Sequence, residues 1–438
     1  DAYDRSADSI DPGRMATLIY TSGTTGRPKG VVLTHDCWVY ESEAIDRMGI
    51  ISAADKQFLF LPLSHVFAKA MMILFVRLGV PTAIDGDQDN LPKNLAATRP
   101  TWMAAVPRVF EKAQNQIMNE VKSASGFKKG AFQWSLRVGE QVSRVRQQHR
   151  EPNRLLRMRY RVAERLVFDK VRTMFGGRMR FMLSGGAPLS PDIARFFHAC
   201  GILILEGYGL TESSAASCVN TPDSFVFGTV GCPLPGTQVK LSDQGEILLK
   251  SRGNMLGYYN LPELSAQAFT DDGWLRTGDI GTVLDTGHLK ITGRIKHLII
   301  TAGGKNIAPS NFQNQLKASS NYVSQVLVHG DKRNFCVALV TINEKHVRNW
   351  AREQGIQAST YSQLADNESV KALVWEAVDA VNKRLPSYET VKRIHLCSEE
   401  WTVANGALTP SLKVKRRVVE ENCAEVLDAF YAGAVHKM

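Results

Sequence analysis

From residue 16 to about residue 219 the chain repeats one pattern: a short apolar run, a turn marked by glycine or proline, and then a helical periodicity. The strand candidates are 16–20, 57–61, 101–105, 179–183 and 202–206. Strands alternating with helices imply a mainly parallel sheet with helices on its faces. Ligands bind to such sheets just beyond the C-terminal ends of the strands, so chemistry is expected in the loops that follow these five runs. In one of those loops, after Ser184-Gly185-Gly186-Ala187-Pro188, Ser190 is placed as a helix N-cap and Pro191 as the first helical residue.

After Pro222 the texture changes to short alternating strands at 238–241, 246–250, 282–284 and 288–291, punctuated by glycine and proline, which is the pattern of a small antiparallel barrel or sheet. Beyond Lys296 strands at 326–329 and 336–342 mix with helices near 343–354 and 369–384, as in a separate small α+β domain. The expected fold class is thus α/β, with a large N-terminal domain of mainly parallel sheets and a small β-barrel part at about 222–293, followed by a small mobile α+β domain. A chain of 438 residues is long enough for two or three domains.

With 44% apolar and 22% charged residues, the chain has the composition of an ordinary globular protein. No apolar run approaches the roughly 20 residues needed to cross a bilayer. Seven scattered cysteines without a Cys-x-x-Cys pair argue against a disulfide framework or a zinc site and favour a reducing, cytoplasmic compartment. The polar start, Asp1-Ala2-Tyr3-Asp4-Arg5, has neither signal-peptide regions nor an initiator Met, as expected of a trimmed chain or a fragment. The formal charge of +10 is local: residues 144–172 alone carry ten Lys/Arg against three Asp/Glu. Such a segment is either a solvated helical face or a surface for anionic partners. Nucleic acid is not the expected partner, because Tyr160 and Trp134 make no interleaved aromatic platform.

The first run leads into Thr21-Ser22-Gly23-Thr24-Thr25-Gly26-Arg27-Pro28-Lys29-Gly30. Four hydroxyls, three glycines and a lysine in ten residues suit a loop that wraps phosphates with backbone N–H groups, hydroxyl donors and one ammonium. It is not a Walker A loop, since Gly-Lys-Ser/Thr is absent and Pro28 opposes a helix starting at Lys29.

This loop resembles the signature of the adenylate-forming superfamily of acyl-CoA synthetases, luciferases and adenylation domains. Further matches follow in that family's order: Phe60-Leu61-Pro62-Leu63-Ser64-His65, Ser184 to Pro188, Gly207-Tyr208-Gly209-Leu210-Thr211-Glu212, Gly273-Trp274-Leu275-Arg276-Thr277-Gly278-Asp279, Gly293-Arg294-Ile295-Lys296, Gly303-Gly304-Lys305-Asn306 and Leu408 to Arg417. The resemblance implies an N-terminal domain over 1–295, lacking the family's first segment, and a C-terminal lid over 296–438 with its hinge at Lys296.

It also implies the roles of particular residues. Thr21, Ser22, Gly23, Thr24, Thr25, Gly26 and Lys29 would hold phosphates. Gly185, Gly186, Ala187, Gly207, Tyr208 and Gly209 would line the nucleotide, with Tyr208 against adenine. Thr211 would bind the α-phosphate, Glu212 would coordinate Mg²⁺, and Asp279 with Arg294 would take the ribose hydroxyls. His65 would stand at the entrance of the acyl pocket, its alternative being a packing role. Gly303 and Gly304 would help form the coenzyme A tunnel. Lys413, in Ser411-Leu412-Lys413, would pair with the reacting carboxylate and α-phosphate, with Lys415 as the other register.

The implied activity uses ATP, Mg²⁺ and coenzyme A to convert a fatty acid to acyl-AMP and then to its thioester. Within the superfamily the long helical, basic stretch from 111 to 175, His65-Val66-Phe67 and the Leu408-Thr409-Pro410-Ser411-Leu412-Lys413 ending are most similar to long-chain fatty acid CoA ligases. Two other readings are a fatty acyl-AMP ligase serving a carrier protein, which usually has an insertion past the hinge, and a catalytically impaired nucleotide-binding fragment. The basic segment would allow peripheral association with the inner face of an anionic membrane. Oligomeric state has no signal in the sequence.

Overall fold

The computed structural model describes residues 9–21, 28–301, 305–409 and 414–432. The chain forms two units, one built on Lys29–Thr277 and the other on the chain from Thr292 onward, with Gly278–Ile280 counted in the second.

The first unit is organised around a seven-stranded sheet in the order Thr82–Ile84, Gln57–Leu59, Trp102–Ala105, Phe181–Ser184, Leu203–Tyr208, Cys218–Val219 and Cys232–Pro233. The first five strands run parallel and the last two pairings are antiparallel. Parallel strands covered on both faces have no solvent side, which is why Phe58, Trp102, Met103, Phe181, Met182, Ile204 and Leu205 are all buried without alternation. One cover is a helical hairpin, Gly126–Gln147 followed by the continuous helical segment 154–174, which packs with Pro191–Ala199. A Cβ at Gly139 would come within 2.4 Å of the Ala199 carbonyl oxygen, so the two helices approach as closely as glycine permits. Pro191 opens its helix as expected, although Ser190 makes no side-chain cap bond.

The run at 16–20 behaves differently from the other four. It belongs to Met15–Thr21, which pairs antiparallel with Lys29–Thr34 in a separate three-stranded sheet completed by Gly257–Tyr258. The seven residues between the paired Thr21 and Lys29 are too few for the crossover that a parallel return requires. Apart from Cys232–Pro233 and Gly257–Tyr258, which join the two sheets above, the strands from 222 to 294 form a four-stranded sheet, Gln238–Leu241, Glu246–Lys250, Leu275–Val283 and Leu289–Arg294, in linear order.

The second unit is α+β. Val323–His329 pairs antiparallel with Cys336–Ile342, which pairs parallel with Val391–Leu396. Every residue of Cys336–Ile342 is buried because the two faces of the sheet serve two cores. Ala338, Val340 and Ile342 meet Phe312, Leu316 and the row Val370, Val374, Val378 and Val381 of helix Glu368–Asn382; Val337 and Leu339 meet Trp401, Leu408, Val419 and Leu427. Each buried valine of that row contributes about 1.5 kcal/mol or more. Among the described residues no helix is long and apolar enough to cross a membrane.

Candidate active site

Parallel pairing brings the predicted loops of the first unit to one edge. Ser184 is in register with Ala105 on one side and Glu206 on the other, so Val106, Gly185 and Gly207 follow side by side. The N–H of Gly185 donates to the Ala105 carbonyl at 3.2 Å. His65 reaches the same edge, at the N-cap position of helix Val66–Leu78, exposed and without a side-chain cap bond. Its helix touches the glycine loop, because a Cβ on Gly185 would lie 3.1 Å from the Phe67 ring. Gly186 has φ +80°, a conformation that favours glycine, and Ala187 beside it is exposed.

Beyond strand Leu203–Tyr208 the chain makes a tight return. Tyr208 is buried in the first unit's hydrophobic core; Thr211 and Glu212 lie in the short helical turn Thr211–Ser213. Ser214 and Ala215 follow with φ +61° and +99°, strained for residues with side chains. Three contacts hold them. The Ser214 hydroxyl donates to the Gly253 carbonyl at 2.6 Å, the Ala216 N–H donates to Glu41 Oε1 at 2.8 Å, and the Met255 N–H donates to the Glu212 carbonyl at 2.8 Å. The two glycines here differ. A Cβ at Gly209 would fall 1.6 Å from the Ala215 carbonyl oxygen, so glycine at 209 is demanded by the protein's own backbone. At Gly207 the nearest atom would be 3.4 Å away, an ordinary contact.

Lys29 and Glu212, predicted separately for phosphate and metal, are linked by Tyr258, a residue that the motifs did not single out. Lys29 Nζ stands 4.8 Å from the centre of the Tyr258 ring, and the Tyr258 hydroxyl donates to Glu212 Oε1 at 2.9 Å. Burial, with the Glu212 carboxylate next, pushes the Tyr258 phenol well above its ordinary value, so it stays protonated as a donor. The position follows from pairing: Tyr258 sits opposite Val31, two residues past Lys29. A glycine ahead of two tyrosines, Gly257-Tyr258-Tyr259, was the available signal. Thr21, paired with Lys29, closes the base of the loop, and its hydroxyl lies 3.5 Å from the Lys29 carbonyl. Ser22, Gly23, Thr24, Thr25 and Gly26 lie outside the described residues.

Two buried carboxyls support this edge from below. Glu41 is wholly enclosed; burial drives its pKa well above the ordinary value, and Oε2 has no partner. Glu206, immediately before Gly207, accepts the Leu189 N–H at 3.2 Å through Oε2, while Oε1 has none. Burial pushes the Glu206 carboxyl up to about 7. Glu206 thereby ties strand Leu203–Tyr208 to the far end of the Gly185 loop.

In the second unit Arg294 Nε donates to Asp279 Oδ1 at 2.5 Å, with Asp279 buried and Arg294 partly exposed. The predicted ribose pair is thus brought together, fifteen residues apart on successive strands. Lys296 is exposed in the turn Ile295–His297. Burial, with Arg416 and Arg294 next, lowers the neighbouring His297 to about 4. Gly303, Gly304 and Lys413 lie outside the described residues. Lys415, the other register, precedes helix Arg416–Asn422, and its N–H donates to the Ala407 carbonyl at 2.8 Å.

Among the described residues no three His, Cys, Asp or Glu side chains converge as metal ligands. Glu212 stands as one carboxylate whose described hydrogen bond involves Oε1 alone. That suits Mg²⁺, which keeps several waters and binds through one or two carboxylates together with substrate phosphates.

Residues 2–259 match the AMP-binding enzyme family, and residues 296–435 match the AMP-binding enzyme C-terminal domain. The chain belongs to the AMP-binding enzyme family. Within the family, a long-chain-fatty-acid–CoA ligase of Mycobacterium tuberculosis is 37% identical over 426 residues, covering 97% of this chain and 70% of that protein. The peroxisomal long chain acyl-CoA synthetase 6 of Arabidopsis thaliana is 35% identical over 439 residues, covering 96% of this chain and 61% of that protein. Among solved structures, the adenylation domain of a carboxylate reductase from Mycobacterium chelonae is similar with a TM-score of 0.71 at 24% identity, over 96% of this chain and 61% of that one. The O-succinylbenzoate coenzyme A synthetase of Bacillus subtilis, solved with ATP and magnesium, gives a TM-score of 0.64 at 20% identity, over 93% and 70%. At these identities the likeness to solved structures concerns the family's fold, which this chain shares.

Proposed function

We propose that the protein is an AMP-forming acid–thiol ligase that activates a long-chain fatty acid as acyl-AMP and passes the acyl group to coenzyme A. The observation that carries this reading is the 37% identity to a long-chain-fatty-acid–CoA ligase across 97% of the chain. The cluster of Lys29, Tyr258 and Glu212 supports it.

In the first step a carboxylate oxygen attacks the α-phosphorus of ATP in line, and pyrophosphate leaves with the electrons of the broken P–O bond. Lys29, whose ammonium stands 4.8 Å from the centre of the Tyr258 ring, would offer its charge to the polyphosphate. Mg²⁺, when bound, supplies charge that offsets the triphosphate, and Glu212 is the side chain to hold it. Asp279 would accept hydrogen bonds from both ribose hydroxyls while Arg294 fixes its orientation. Lys413 would stabilise charge on the reacting carboxylate and α-phosphate in this step. In the second step the thiol sulfur attacks the acyl carbonyl, AMP departs and the thiol proton goes to solvent. A rotation at Lys296, exchanging Lys413 for the Gly303-Gly304 segment, would separate the steps and keep water from the mixed anhydride.

Pyrophosphate release across a series of fatty acids of increasing length tests the reading. Release that depends on a long-chain acid, followed by thioester formation on adding coenzyme A, is expected. Release confined to short acids, or an acyl-AMP discharged by a carrier protein and not by coenzyme A, would overturn the assignment of acid or acceptor.

A further inference from the structure

The helical segment 154–174 has two unlike faces. Tyr160, Ala163, Phe168 and Val171 are buried, the Tyr160 hydroxyl lies 3.4 Å from the Ala199 carbonyl, and Phe168 closes on Gly139 of the partner helix. The wider π-type turn Glu164–Phe168 allows Ala163 and Phe168, five residues apart, to face the same way. On the opposite side Leu155, Met158, Val162 and Leu166 stand 67%, 63%, 50% and 55% exposed. Their spacing of three, four and four residues sets them in one row. Arg154, Arg159, Arg161 and Arg165 lie alongside, exposed, and make no ion pair among the described residues. The acidic side chains of this stretch are engaged elsewhere. Glu164 and Asp169 hold Arg172 at 2.9 and 2.6 Å, and Glu151 meets Arg157 at 3.4 Å.

We infer that this face docks on the surface of an anionic lipid bilayer. The row of apolar side chains and the unpaired arginines make complementary demands that a bilayer meets together. Four large apolar groups exposed in a single row need an apolar medium, which a soluble polyanion does not offer. Four unpaired guanidinium groups beside them need anions, which an apolar protein groove does not offer. At a bilayer interface a helix lying in the plane sinks its apolar row below the headgroups, while the long arginine stems carry their charge up to the lipid phosphates. The helix is held rigidly by its buried face, so it presents the row without having to fold on binding. Nothing in this inference depends on the acyl–CoA ligase reading, and its test involves no assay of activity.

The test is co-sedimentation of the protein with vesicles of phosphatidylcholine alone or mixed with phosphatidylglycerol, at low and high salt. Binding to the anionic vesicles that weakens steeply with salt, and little binding to the neutral ones, is expected. Replacing Arg154, Arg159, Arg161 and Arg165 by Gln should reduce anionic binding at least about tenfold. Replacing Leu155, Val162 and Leu166 by Ser should also weaken it at low salt, because insertion is lost while the charge remains. All seven positions are exposed, and an unchanged circular dichroism spectrum verifies the fold. Absent binding, equal binding to both vesicle types, or undiminished binding by the Gln variant would overturn the inference. So would undiminished binding by the Ser variant, which would reduce the face to a site for any polyanion.

Discussion

Glu212 and Tyr258 separate charge from orientation at the level of single side chains. Glu212→Gln keeps the size of the group and its contact with the Tyr258 hydroxyl but removes the charge that a hard divalent cation needs, so acyl-AMP formation should fall about a hundredfold with an altered Mg²⁺ dependence. Tyr258→Phe removes only the 2.9 Å hydrogen bond, worth about 1.5 to 3 kcal/mol to a charged acceptor, and should act chiefly on KM for MgATP. Titrating the pyrophosphate-release rate with Mg²⁺ and ATP distinguishes the two; equal losses of kcat would contradict it. Lys413→Ala should lower the first half-reaction by about a hundredfold or more while leaving thioester formation from synthetic acyl-AMP near normal, because its charge is needed in one transition state only. If Lys415→Ala has that pattern and Lys413→Ala does not, the register belongs to Lys415. Gly209→Ala should cost about 3 kcal/mol of stability, since the Ala215 carbonyl must move, whereas Gly207→Ala should be tolerated. Thermal unfolding of the pair decides it.

At the level of elements, Glu206 couples strand Leu203–Tyr208 to the loop after Ser184, and its carboxyl is raised from 4.5 to about 7 by burial. A raised carboxyl favours the folded state fully below pH 4.5, where it is neutral folded or unfolded, and that stability is lost as pH climbs through about 7. Glu206→Gln does not titrate, so its melting temperature should be flatter between pH 4.5 and 7, a difference on the order of 3 kcal/mol in stability across the window. Parallel melting curves of the two proteins would refute the coupling. The same elements mark where sequence reading reaches and where it stops. The loops at 185–188 and 207–212 were legible because glycines and hydroxyls gather directly after apolar strands, and parallel pairing then puts such loops on one edge. Glu41, Glu206 and Tyr258 were not, since each is a lone residue inside a helix or strand whose partner arrives from far along the chain; Glu41 meets Ala216 and Tyr258 meets Glu212 only once the fold exists. The antiparallel return of Lys29–Thr34 was hidden for a similar reason, as an apolar strand looks alike in either sheet. The π-type turn at Glu164–Phe168 leaves no composition signal at all.

Across the whole molecule the candidate groups are divided between two units. Lys29, Thr211, Glu212 and Tyr258 belong to the first, and Asp279, Arg294 and the lysine-bearing stretch near 413 to the second. The proposed chemistry of two successive half-reactions would draw on both units, the phosphate and Mg²⁺ groups lying in the first and the ribose pair with Lys413 in the second. The most direct test is a stepwise assay on one sample: protein, MgATP and a long-chain fatty acid, with coenzyme A added only after the first products are measured. Pyrophosphate and enzyme-bound acyl-AMP should form before the addition, and AMP with acyl-CoA after it. Formation of ADP and inorganic phosphate, or of no nucleotide product until coenzyme A is present, would contradict adenylate formation by this protein.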